Sequence, residues 1–204
     1  MRKPQSVRSL EDLGRVRLSD NFFLRDFLYS EVANFYGVPN IPDDPELAIE
    51  AGRQLCRHLL EPLCQAFGRV SIRSAFRSES VNRLCNEKGH SCARNEANFA
   101  RHIWDHRDQN GRIGAMACVV VHWYIERYEQ TADFRPLAWW IHDHLGYSEL
   151  VFFPKYCAFN IGWHEAPKQT IKSHIQAAKG CLTRPGMDNH GGGHSMWYAG
   201  FPTV

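Results

Sequence analysis

The stretch LLEPLCQAFGRVSIRSAFRSESVN (residues 59–82) decides the fold class of this chain. Its hydrophobic period changes twice. Leu55, Leu59, Leu63 and Phe67 recur at helical spacing up to Gly68, a residue suited to ending a helix. RVSIRSAF (69–76) then alternates apolar and polar, as a half-buried strand does. Ser78 is placed to cap a short helix running through Val81 and Leu84. Upstream, Asp44 caps the longer helix with Pro45 at its first position, and Pro62 predicts a kink or break within it.

Working outward, GVPNIPDDP (37–45) is a turn-rich connector, and LSDNFFLRDFLYSE (18–31) predicts an opening helix. Residues 99–121 predict a β-hairpin: FARHIWDHR, a turn at Gln109-Asn110-Gly111, then RIGAMACVVV. A helix over 132–145 carries Leu137, Trp140, Ile141 and His144 on one face, with Trp139-Trp140 as core and pocket wall. LVFFP (150–154) and CAFNIGWH (157–164) read as the last strands. The expectation is a single α+β domain over 1–204. It has an N-terminal arm (1–17), a core (18–165) of helices on a small antiparallel sheet, and an irregular wrapping tail (166–204).

With 204 residues, 44% hydrophobic and 23% charged, the chain is globular rather than disordered, collagenous or coiled-coil. No apolar run approaches the roughly 18–20 residues that span a bilayer, so no membrane role is expected. A net charge of +2 with interleaved signs makes the basic start (Arg2, Lys3, Arg8, Arg15, Arg17) a solvated face, with no nucleic-acid partner expected. The seven cysteines and the polar segment after Met1 suggest reduced thiols and a cytoplasmic location. Cys85 and Cys92 are too far apart for a CxxC zinc knuckle.

Three side chains on predicted strands stand out as metal ligands: His102, Cys118 and His164. A three-residue hairpin loop pairs residues whose numbers sum to about 220, setting His102 opposite Cys118; a two-residue loop puts them on opposite faces. An imidazole and a thiolate at cross-strand distance suit tetrahedral zinc. His164 supplies a third ligand and leaves the fourth place for water. A second reading of the same pair makes Cys118 a nucleophile activated by His102, a thiol hydrolase.

Several short motifs resemble the zinc D-Ala-D-Ala carboxypeptidases and their relatives, the hedgehog/DD-peptidase fold, which includes phage endolysin peptidases. LSDNFFLRDFLYSE resembles the family's opening helix, and residues 59–82 resemble its helix–strand–Ser-Gly-Tyr-Arg-Ser segment. ARH (100–102) and GAMAC (114–118) look like the two halves of its Ser-x-His-x-x-Gly-x-Ala-x-Asp zinc motif, separated by about nine extra residues. GWH (162–164) stands where the family has its last histidine ligand. The resemblance implies a zinc-dependent hydrolase of peptides, the peptidoglycan stem among them, and a phage-encoded protein released to the cell wall. It also implies that Arg77 polarises the substrate carbonyl or holds a carboxylate.

The chain departs from that pattern. Cys118 replaces Asp, and Ala100 replaces Ser. The catalytic carboxylate or His expected two or three residues before His164 is replaced by Gly162 and Ile161, which cannot move protons. His142, His144 and Glu165 are the remaining acid/base candidates, with a C-terminal His. The alternative function is therefore an inactive, zinc-containing peptide-binding module of the same fold. Elsewhere, His142-Asp143-His144 reads as a helix C-terminal cap, residues 106–110 as a turn rather than a calcium loop, and His190-Gly-Gly-Gly-His194 as a flexible loop.

Overall fold

A computed structural model describes residues 2–90 and 92–202. The N-terminal arm holds helix α1 (Val7–Gly14). Ser6 caps it by accepting from Ser9 N–H, and the Ser9 hydroxyl accepts in turn from Ser6 N–H. The expected opening helix is not continuous. Arg17 bridges to Phe23, a 3-10 turn covers Leu24–Phe27, and helix α2 (Glu31–Tyr36) begins only after Ser30. Asp26 explains the break: its carboxylate accepts from Phe23 N–H at 2.8 Å and holds the tighter turn.

Asp44 caps helix α3 (Pro45–Leu55) by accepting from Leu47 N–H. The segment Cys56–Leu60 then widens into a π turn and runs into helix α4 (Glu61–Phe67). The π turn accommodates the missing N–H of Pro62 without breaking the helix. Leu55, Leu59 and Leu63 are fully buried along it.

The strands and later helices follow: β1 (Val70–Ser74), α5 (Glu79–Glu87), α6 (Asn95–Asn98), β2 (Gly114–Val121), α7 (Ile125–Thr131), α8 (Arg135–His144), β3 (Glu149–Phe152), β4 (Phe159–His164), β5 (Thr170–Ser173) and β6 (Gly180–Thr183). They give a mixed α+β architecture with one six-stranded sheet, ordered β1-β2-β4-β3-β5-β6. Two expectations are corrected. The tail is not wholly irregular, since β5 and β6 extend the sheet. The sheet is not wholly antiparallel, since β3 and β5 run parallel. With β4 held between β2 and β3, the outer edge of β3 is the one left for β5 to join.

The 99–121 hairpin does not form, because β2 has both edges occupied. β1 takes one, pairing Val70 with Val121 through Ser74 with Cys118. β4 takes the other, pairing Gly114 with His164 through Cys118 with Asn160. Residues 99–107 are left as turns, with one bridge between Phe99 and Ile103 and Ala100 at φ +54°. The Asn-Gly turn still forms, closing a small loop: Asp108 N–H donates to Arg112 O, Gly111 N–H donates to Asp108 O, and Gly111 sits at φ +76°.

Ala115, Ala117, Val119 and Val121 of β2 point into the main core with Leu55, Leu59, Trp104 and Trp140. Met116, Cys118 and Val120 take the other face by the two-residue period; Cys118 and Val120 pack there on Ala158. The outer face of the sheet is thus where polar chemistry can gather. Cys85 and Cys92 form a disulfide where the chain reverses after α5, with Cα atoms 5.7 Å apart. That corrects the expectation of uniformly reduced thiols; Cys56, Cys64, Cys118, Cys157 and Cys181 are free. Among the described residues, no helix is long and apolar enough to cross a membrane.

Candidate functional site

His102 and Cys118 line one cavity, though not by hairpin pairing. The turn at 99–103 is held to β2 and to the segment just after β1 by three bonds. Met116 N–H donates to Arg101 O (2.9 Å), Arg77 N–H donates to His102 O (2.8 Å), and His102 Nδ1 donates to Ala75 O (2.8 Å). That last bond fixes the tautomer, so Nε2 keeps its lone pair. His102 is 5% exposed. Burial, reinforced by the Arg77 charge, holds its pKa well below the ordinary imidazole value, so the ring is neutral.

Both side chains line a cavity of about 550 Å³ on the outer face of the sheet. Arg77, Asn98, Arg101, Asn160 and His174 share its wall, and no carboxylate lines it among the described residues. Burial pushes the Cys118 thiol up to about 11, although Arg73 and Arg77 draw it down. At neutral pH the thiol keeps its proton, which disfavours the nucleophile reading.

Arg77 is fixed from behind. Its Nη1 donates to Asn82 Oδ1 (3.3 Å) and lies 3.2 Å from Cys92 Sγ. Asn82 is fully buried; its amide donates to Ala93 O and Asn95 Oδ1, and Asn98 donates back to its Oδ1. The α5 cap at Ser78 and the disulfide therefore carry the frame that points Arg77 at the cavity.

His164 does not join this pair. It shares the sheet face with Asn160 but lies four residues along β4, about 13 Å at the usual strand rise. It lines a neighbouring cavity of about 860 Å³, in which Nδ1 accepts from Ala166 N–H (3.0 Å) and Nε2 faces Asp108 Oδ2 (3.3 Å). Arg101 lines both cavities and pairs with Glu149 at 2.7 Å. The residue opposite Cys118 is Asn160. Stepping back from His164 by twos reaches Gly162 and then Asn160, so the strand period marked this polar residue; His174 carried no such signal.

The acid/base candidates lie elsewhere. Glu165 Oε2 accepts from Ile113 N–H (2.8 Å). His144 Nδ1 donates to Trp140 O (2.7 Å) and its ring stacks on Trp140. His142 bonds Tyr147 and the His190 carbonyl, away from the cavity. At Gly162, where the resemblance expects a proton carrier, an added Cβ meets the Met116 methyl at 2.9 Å.

Among the described residues, one group of three could hold a metal ion: His142, Asp143 and His194, whose ligand atoms lie within 4.8 Å of one another. The set His102, Cys118 and His164 does not form such a group, and its residues do not fit a three-ligand zinc centre. Comparison with family models, curated proteins and solved structures finds no match.

Proposed function

We propose that this chain is a peptide-binding module built on the architecture of the zinc peptidases it resembles. Its ligand is a peptide whose terminal carboxylate enters the Cys118 cavity and whose body extends along the sheet face past Arg101. One observation carries the reading: Arg77, His102 and Cys118 line a single cavity with no acidic residue in its wall, while His142, His144, Glu165 and His164 all lie outside it. A half-buried guanidinium with no carboxylate bonded to it is a site for an anion, the Glu31 charge acting on Arg77 only through space. Neutral His102 offers an acceptor at Nε2, and Asn160 offers an amide, for the neighbouring peptide group. The hydrolytic reading lacks a third ligand grouped with His102 and Cys118: His174 lines the same cavity, but among the described residues these three do not gather into a metal-binding set.

Calorimetric titration of the full chain with a short peptide ending in D-Ala-D-Ala, as the free acid and as the C-terminal amide, tests this. The free acid is expected to bind, and amidation or Arg77→Gln is expected to weaken it about tenfold to a hundredfold, the worth of a charge-assisted hydrogen bond. Equal affinity for acid and amide refutes the proposal. Chromatography of the same mixtures with added zinc is expected to show uncleaved peptide; zinc-dependent cleavage returns the hydrolase reading.

A further inference from the structure

A second polar cluster forms where the tail meets the C-terminal end of α8, apart from the cavity just described. Asp143 is its centre. Its Oδ2 accepts from His194 N–H and from the Tyr198 hydroxyl, each at 2.7 Å. Its Oδ1 is left facing His194 Nδ1, also at 2.7 Å. His194 Nε2 donates to Asn189 O at 3.1 Å, an outer contact of the kind that orients a metal-ligating imidazole through its other nitrogen. The His194 ring stacks on Trp139 with centroids 3.9 Å apart and is 9% exposed.

Two more imidazoles stand around this pair. His142 lies 5.4 Å from His194 and 5.0 Å from His190, ring to ring. An open cavity of about 430 Å³, lined by His142, Asp143, His144, Gly192, Gly193 and Tyr198, gives access from solvent. At Gly191, Gly192 and Gly193 an added Cβ meets nothing within 4 Å, so the loop leaves space beside the cluster.

We propose that this cluster binds a divalent transition metal of the zinc class through Asp143 Oδ1, His194 Nδ1 and one ring nitrogen of His142. The fourth place faces the open cavity, within reach of His190 or water. Zinc bonds of about 2.0–2.2 Å set tetrahedral ligand atoms roughly 3.3–3.6 Å apart, so the Asp143–His194 gap opens by less than about 1 Å. The cation replaces the proton shared between those two atoms, which leaves to solvent. His142 releases either the Tyr147 hydroxyl or the His190 carbonyl to bind. The metal then clasps the tail to α8.

The test uses the full chain, stripped with chelator and titrated with zinc by calorimetry and with cobalt(II) by visible absorption. One equivalent is expected to bind, with tetrahedral cobalt bands, no thiolate charge-transfer band, and a melting temperature raised by about 5–10 °C at saturation. Asp143→Asn keeps acceptors for His194 N–H and Tyr198, so it is expected to fold, yet to lose at least tenfold in affinity. His194→Gln is expected to lose as much. Cys118→Ala and His102→Ala are expected to leave the zinc affinity and the one-equivalent stoichiometry unchanged. Absence of binding at millimolar metal overturns the proposal. So does a thiolate band that vanishes with Cys118→Ala, which would put the metal in the other cavity.

Discussion

Gly114→Ala puts the placement of His102 under direct strain. Gly114 opens β2 directly beneath the 99–103 turn. A Cβ built there lies 2.3 Å from Ala100 O, 2.7 Å from His164 Cδ2 and 2.9 Å from Trp163 O. Two of those atoms are backbone, so no rotamer relieves them. A carbon and a carbonyl oxygen rest at about 3.3 Å, so the turn must lift by about 1 Å, a close-packed interior yielding little. Ala100 is itself in the left-handed region, and its N–H is shared between Ile103 O and His106 O. Overpacking costs about 1–3 kcal/mol where side chains can adjust, and forcing backbone belongs at or above the top of that range, about 3 kcal/mol. In a chain this long that lowers the melting temperature by roughly 6–12 °C. Urea unfolding and thermal melts read the stability, and peptide titration reads the cavity, which the displaced turn is expected to spoil. Gly111→Ala is the control: it has no neighbour within 4 Å and pays only for φ +76°, about 1 kcal/mol. If Gly114→Ala melts within 1–2 °C of the unaltered chain and Gly111→Ala does not, the packing argument for His102 is refuted.

Three further outcomes are expected. Asn82→Ala removes a fully buried amide that ties Arg77, Ala93, Asn95 and Asn98 together, and is expected to cost about 2–4 kcal/mol in denaturant unfolding, with peptide affinity falling alongside. Burial alone would raise the Glu149 pKa, but Arg101 and Lys168 outweigh it and hold it below the ordinary value. Its contribution is therefore full above the unfolded glutamate pKa, about 4.3, and is lost as pH falls through the lower folded value, so Glu149→Gln is expected to flatten the acid limb of a stability–pH curve. Cys118 is buried with its thiol at about 11, so iodoacetamide at pH 7.5 is expected to label exposed Cys181 and leave Cys118 unmodified until denaturant is added, as read by mass spectrometry.

Local signals in the chain proved legible where one residue does one job. Ser78, Asp44 and Gly68 mark helix ends because capping is settled within a turn of chain. The strands at 70–74 and 159–164 fall inside the runs 69–76 and 157–164 that predicted them, and the strand at 149–152 overlaps the predicted 150–154. The hairpin failed for a non-local reason. The Asn-Gly signal reports a turn and says nothing about which strands will claim β2. Competition for the two edges of β2 left 99–107 without a ladder, yet bonds to Ala75, Arg77 and Met116 set His102 in the wall of the same cavity as Cys118. His164 was misplaced because facing direction was read and distance along the strand was not. The His142–Asp143–His194 cluster was visible only as two fragments, a helix cap and a glycine-flanked loop, and their meeting depends on how the tail folds back.

The parallel union of β3 with β5 sets an order of events. β3 cannot have its outer edge covered until Thr170–Ser173 have been made, and those leave the ribosome after the rest of the cavity-bearing strands. During synthesis that edge, Glu149–Phe152, offers unpaired amides beside apolar Leu150 and Phe152 to any neighbouring nascent chain. A polypeptide stopped before Thr170 would carry the whole cavity wall contributed by β1, β2 and β4, yet keep an open seam that invites self-association. Covering that seam is the structural service of Thr170–Ser173, with Gly180–Thr183 lying outside it in turn.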